Sequence, residues 1–203
     1  MNDKSKSLTV QYYDQNPDDW SATHGGDEDF SWWKDEMQKF KKFLPNGKVI
    51  EFGAGAGKDA KALISLGYDY LGTDASIGLL KLAKERNPGT KFIQKYIHEL
   101  EPSIEQFDGF WASAVLLHIP REEIVDSLKS ISSIIKPNGV GFITLKEGDG
   151  DRIDKDTGRL FTYFKEEEFR EYLSETGFTT LDVDYRKTPK ENWLIFYVQK
   201  KEN

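Results

Sequence analysis

Glu51-Phe52-Gly53-Ala54-Gly55-Ala56-Gly57 sets an acid two residues ahead of three alternating glycines, and Lys58 follows directly. Residues without a Cβ let backbone amides and carbonyls press against a ligand. A helix opening just after them adds partial positive charge suited to an anion. Three ligand chemistries use glycine loops of different spacing. A phosphate cradle needs G-x-x-x-x-G-K-[ST]; here the glycines stand one residue too close and Asp59 replaces the hydroxyl, which excludes it. A dinucleotide loop needs G-x-G-x-x-G, and its third glycine falls on Lys58. The alternation acidic-x-G-x-G-x-G fits at every position. Asp74, followed by Ala75 in YLGTDAS, stands where a carboxylate can accept hydrogen bonds from both hydroxyls of a ribose. Loop and acid together suit an adenosine-bearing molecule.

The bulk composition narrows the partners. The chain has 203 residues, 28 basic against 35 acidic side chains, and a net charge of −7. So negative a surface disfavours nucleic acid. There is no cysteine, which excludes disulfide and thiolate chemistry. Three scattered histidines, His24, His98 and His118, make no metal site. MNDKSKSL lacks the apolar stretch of a secretory leader. No uncharged apolar run approaches the ~18 residues of a membrane span. The expectation is a cytoplasmic protein acting on a small molecule, as a monomer or a homodimer.

Those residues need elements to hold them. Residues 1–7 read as a polar tail, Leu8–Asn16 as a short helix or turn interrupted by Pro17, and Thr23–Asp29 as a loop. Trp33, Met37, Phe40 and Leu44 fall on one helical face. From Lys48 onward, strand-like and helix-like stretches alternate. KVIEF, YDYLGTD, KFIQ, FDGFWASAV, VGFITLK, FTTLDVDYR and NWLIFYVQK read as strands. KDAKALISLG, SIGLLKLAKERN, REEIVDSLKSISSII and KEEEFREYLSETG read as helices, closed by Gly67, Pro88, Pro137 and Gly177. Such alternation predicts an α/β fold with a mainly parallel seven-stranded sheet and helices on both faces. The last two strands join through RKTPKE without a helix, so the last strand is antiparallel. Glu147–Arg159 (EGDGDRIDKDTGR) reads as a solvated mobile connection that can also serve as a flap over a substrate.

From Val49 to about Asp149 the chain resembles the class I S-adenosylmethionine-dependent methyltransferases. The likeness rests on VIEFGAGAGKDA, YLGTDAS, FDGFWASAVLLHIP and IIKPNGVGFITLKEG in that order; LLHIP and KEGDG…FTYF resemble the small bacterial tellurite-resistance-like type. The resemblance implies a single domain over residues 1–203, with a helical cap over 1–45 and a Rossmann-like three-layer core over 46–203. It implies S-adenosyl-L-methionine as methyl donor, with S-adenosyl-L-homocysteine as product. Glu51, Gly53, Ala54, Gly55, Gly57, Asp74, Ala75 and Ser113 then bind the donor. Ile97 packs on adenine. Tyr96 stands where the family places an acid against the adenine amino group, and offers instead a hydroxyl or a ring face. Lys58, a cation at the unfavourable end of a helix, either reaches the donor carboxylate or is solvated.

One of Tyr12 and Tyr13 would close over the donor, where an aromatic face favours a sulfonium; Tyr13 is assigned to the donor and Tyr12 to the acceptor pocket. Leu117, His118, Lys146 and Tyr163 complete that pocket. Ala112 joins Ser113 in its inner wall. His118 is the candidate general base, since an imidazole titrates near neutrality; the competing reading has it bonded to backbone or capping the helix at Arg121. Trp20, Trp32 and Trp33 either line the acceptor pocket or pack a helix inward. Two other functions stay open: an NAD(P)-dependent oxidoreductase, and a non-catalytic domain that only binds S-adenosylmethionine.

Overall fold

The computed structural model describes residues 3–23, 32–101 and 106–202. Seven strands form one sheet in the order β3-β2-β1-β4-β5-β9-β8. In sequence, β1 is Lys48–Phe52, β2 Asp69–Asp74, β3 Phe92–Gln94, β4 Phe107–Ala112, β5 Ile135–Lys146, β8 Phe178–Lys187 and β9 Asn192–Lys200. The β1, β2, β3, β4 and β5 pairings are parallel, and β9 runs antiparallel to both β5 and β8. The antiparallel last strand is as the short RKTPKE connection requires.

Two apolar cores lie on opposite faces of this sheet. On one face, helices α6 (Ile124–Ile134) and α7 (Glu166–Glu175) bury Leu128, Ile131, Phe169 and Leu173 against Ile50, Phe52 and Phe110. On the other, α3 (Lys34–Phe43), α4 (Lys58–Ser65) and α5 (Ile77–Arg86) bury Met37, Phe40, Leu63, Leu80 and Ala83 against Val49, Trp111 and Phe142. Val49 and Ile50 thus point to opposite sides, the period-2 geometry of a strand covered on both faces. Trp111 and Phe142, register partners on β4 and β5, stack with ring centroids 3.6 Å apart. The result is a three-layer α/β sandwich. Beyond β1, successive strands are added in opposite directions, so the carboxyl ends of β1 and β4 open a crevice where ligands of such sheets bind.

Three readings need correction. The polar N-terminal segment is helical: α1 runs over Asp3–Gln15, and α2 (Pro17–Thr23) starts on the proline, which tolerates the first helical position. The charged connection is an ordered hairpin, β6 (Asp151–Ile153) with β7 (Leu160–Thr162). Asp154 holds its turn by accepting from the Thr157 amide and hydroxyl at 2.9 and 2.8 Å. The third concerns Pro137: α6 ends at Ile134 and β5 already begins at Ile135, passing through the proline with a register shift against β4. The loop expected after Thr23 falls in residues 24–29, outside the described residues.

Candidate functional site

The loop after β1 is shaped by its glycines. Gly53 has φ +68°, and a Cβ there would stand 2.6 Å from the Val115 side chain. Gly57 has φ +76° and presses on α5, where a Cβ would meet Asn87 Nδ2 at 2.5 Å. Both therefore answer to packing as well as to any ligand. Gly55 turns its amide toward β2 and donates to Asp74 Oδ2 at 2.8 Å. Asp74 Oδ1 accepts from the Ser76 amide at 2.8 Å.

This loop borders a cavity of about 840 Å³. Glu51, Gly53, Ala54, Gly55, Lys58, Asp74, Ala75, Tyr96 and Ile97 line one end. Ser113, Leu117, His118, Lys146 and Tyr13 line the rest of the wall expected from the sequence. Four expected residues stand outside. Gly57 is turned into the α4–α5 contact; Tyr12 packs edge-on against Tyr13, 5.7 Å between centroids; Tyr163 flanks Gly148 and the Lys146 ammonium. Ala112 is fully buried beneath the wall. Trp32 and Trp33 both reach the cavity, and Trp33 also packs on Phe142 and Trp193 in the core, so its two readings hold together. The Trp20 side chain and His24 lie outside the described residues. His98 is exposed, 5.3 Å from the Tyr96 ring.

Electrostatically the cavity has two ends. At the glycine loop, three carboxylates gather. Glu51 is buried, accepts from the Tyr70 hydroxyl, and burial together with nearby Asp59 pushes its pKa well up. Asp59 accepts from Trp111 Nε1 at 2.8 Å, and burial raises it too. Burial lifts Asp74 to about 6, against the opposing pull of the Ser76 and Gly55 amides. Such an end suits a ligand that brings hydroxyls and positive charge.

The far end is built by elements remote in sequence. His118 Nδ1–H donates to the Leu160 carbonyl at 2.6 Å, and Nε2 takes the Tyr13 hydroxyl at 2.8 Å. Desolvation, with Arg159 and Lys146 adding repulsion, lowers its pKa to about 4. The imidazole is thus neutral at physiological pH, with its one lone pair taken up by the Tyr13 hydroxyl. The backbone-bonded reading of His118 is correct, and it leaves Nε2 available to a base role only when Tyr13 moves. Lys146 pairs with Glu191 at 2.7 Å and lies 4.0 Å from the Phe161 centroid.

The α1 helix closes this wall. Thr9 Oγ1 accepts from the Leu160 amide at 2.9 Å, and Asp14 accepts from Ser76 Oγ and the Gly78 amide at 2.7 and 3.0 Å. Residues missed by sequence reasoning are Thr9, Asp14, Arg159, Phe161, Glu191 and Trp193. Arg159 ends the segment read as a mobile connection and flap, Phe161 lies two residues beyond it, and nothing local marks either as lining the cavity. Asp14 carried a faint signal, an acid facing the unmet amides at the start of a helix.

Among the described residues no cluster of metal-binding side chains occurs, and no helix is long and apolar enough to cross a membrane.

Residues 49–139 match the family model described as a methyltransferase domain. An uncharacterized methyltransferase of Oceanobacillus iheyensis is 25% identical over 130 residues, 62% of this chain and 61% of that protein. The chain thus matches less than two thirds of that relative's length. A demethylmenaquinone methyltransferase of Renibacterium salmoninarum is 28% identical over 98 residues, 47% of this chain and 40% of its own. Among solved structures, the 1,6-didemethyltoxoflavin-N1-methyltransferase of Burkholderia thailandensis, with 1,6-didemethyltoxoflavin and S-adenosylhomocysteine bound, superposes with a TM-score of 0.76. It is 24% identical and covers 97% of this chain and 87% of its own. The fold is that of the Rossmann-like methyltransferases.

Proposed function

We propose that the protein is an S-adenosylmethionine-dependent methyltransferase acting on a small molecule. The observation that carries this reading is the polarity of one cavity. Its carboxyl end offers Asp74 to a ribose and acceptor oxygens to an ammonium. Its other end is walled by rings and by a neutral imidazole. At about 840 Å³ it lies toward the upper end of the ~300–1,000 Å³ of small-molecule pockets, which accommodates a donor and a second small ligand.

The methyl of a sulfonium is already activated, so the chain's task is alignment, which in favourable cases contributes ~7–11 kcal/mol. Gly53–Gly55 and Asp74 hold the adenosine half. Glu51 and Asp59 face the methionine half. Tyr96 and Ile97 border adenine. Tyr13 closes over the donor where it meets the acceptor, Leu117, His118 and Lys146 surround the acceptor, and His118 Nε2 takes a proton where the nucleophile arrives protonated. The matched domain and its cap act as one unit over residues 1–203, in the cytoplasm, as a monomer or homodimer. The tellurite-resistance-like subtype belongs to the same proposal and specifies no acceptor, since scaffold does not set substrate.

Calorimetric titration with S-adenosylmethionine, S-adenosylhomocysteine and NADH tests the reading. Micromolar binding of the first two, lost in Asp74→Ala, with none for NADH, is expected. Binding of NADH alone would overturn it in favour of an oxidoreductase.

A further inference from the structure

The cationic end of the cavity says what kind of acceptor it takes. Lys146 is neutralised by Glu191. Arg159 is not neutralised in this way. Its guanidinium donates to two neutral hydroxyls, Thr157 Oγ1 at 3.1 Å and Tyr13 at 3.2 Å, and among the described residues no carboxylate lies within ion-pair distance of it. The nearest candidate, Asp154, spends one oxygen on the Thr157 and Asp156 amides and the Thr157 hydroxyl, and the other faces Arg152 at 3.7 Å. Arg159 is half-buried and lines the cavity. It stacks on the rings of Tyr12, Tyr13 and Phe161, with centroid distances of 4.7, 5.6 and 5.2 Å. Asp154 therefore acts on Arg159 only from a distance, as an attraction that adds to the Thr157 hydrogen bonds in lowering the Asp154 pKa, and the guanidinium's direct hydrogen bonds go to hydroxyls alone. A half-buried guanidinium without a direct ion pair has donors to spare for an anion, and its planar fork suits a carboxylate.

The surroundings give the acceptor's body. Phe161, Tyr13, Trp33 and Trp193 line the same end. The Phe161 ring centroid lies 4.9 Å from that of His118 and 4.0 Å from the Lys146 ammonium. Arg159, Lys146 and His118 line the same cavity, and both cations lie close enough to add to burial in lowering the His118 pKa. The opposite end, with Glu51, Asp59 and Asp74, offers acceptor oxygens and suits groups that donate hydrogen bonds.

We infer that the acceptor is a small aromatic anion, a ring carrying a carboxylate, held with its charge against Arg159 and its ring among Phe161, Tyr13 and Trp193. This rests on the methyltransferase reading above and deepens it.

The test is calorimetric titration of the protein with benzoate, benzamide and benzylamine, each in the presence and absence of saturating S-adenosylhomocysteine. Benzoate is expected to bind at least tenfold more tightly than benzamide, and benzylamine not at all. Arg159→Gln should weaken benzoate at least tenfold and leave benzamide unchanged, with Arg159→Lys intermediate; retained S-adenosylhomocysteine binding shows that each variant is folded. Equal affinity for benzoate and benzamide, a preference for benzylamine, or no benzoate binding at millimolar concentration would overturn the inference. If S-adenosylhomocysteine itself fails to bind, it is the methyltransferase reading that falls, and the benzoate–benzamide comparison without it still decides the charge preference.

Discussion

Two titrating side chains carry most of what single residues foretell. Asp74, lifted to about 6 by burial, accepts ribose hydroxyls best as a carboxylate. Binding of S-adenosylmethionine therefore favours the ionised form. Affinity should be level above pH 7 and fall below 6 by ~tenfold per pH unit. Titrations from pH 5 to 8 check this, and Asp74→Asn should bind weakly with no such slope. His118 behaves oppositely. Its pKa of about 4 lies below the ~6.5 of an unfolded chain, so the folded state resists its protonation. Its contribution to stability is full above pH 6.5 and is lost as pH falls toward 4, in all about 3 kcal/mol. The stability difference between the protein and His118→Gln, measured by urea unfolding, should shrink by that amount between pH 7 and 4. Asp74 and the glycines were legible in the sequence because strand, turn and acid lie within one short segment. Arg159 was not, because its significance comes from Tyr13, 146 residues away in the chain.

At the scale of elements, the loop after β1 and the helix α1 make opposite demands. The loop is locally constrained: Gly53→Ala places a Cβ in a left-handed conformation and against Val115. The conformation alone costs ~1–2 kcal/mol, so urea unfolding should show at least that loss, and S-adenosylhomocysteine binding should weaken with it. The helix α1 is held by contacts from afar. Thr9→Val leaves the buried Leu160 amide without its acceptor, a loss of ~1–3 kcal/mol. Hydrogen exchange at Leu160 should accelerate accordingly while amides of β1 and β4 stay protected. The seven sheet strands could be read in order because their apolar runs are bounded by glycine and proline. The strands β6 and β7 could not: each is three residues long, charged or mixed, and is ordered by its packing on His118 and α1 rather than by its own pattern. The helix expected from Leu8 was visible, and only its first turn, read as a polar tail, was missed; the partners of Thr9, Tyr13 and Asp14 were hidden, since they are met only in the folded chain.

For the molecule as a whole, ligand and fold share one stability. S-adenosylhomocysteine at 100 times its Kd should stabilise the native state by ~2.7 kcal/mol. For a chain of this size that corresponds to a rise in Tm of roughly 5–11 °C, readable by differential scanning fluorimetry. The global architecture, a mainly parallel sheet, was visible from the alternation of elements; that an N-terminal tyrosine closes the crevice came from the resemblance, while the contacts that dock α1 there carried no local signal. That docking has a kinetic side. The α1 helix grips the start of α5 through Asp14, near the adenosine end, and the β6–β7 hairpin through Thr9 and Tyr13, at the acceptor end. One helix thus touches both ends of the cavity. If the proposed reaction requires α1 to release both ends before donor and product can exchange, turnover should slow as solvent viscosity rises, and stopped-flow rates in glycerol check this.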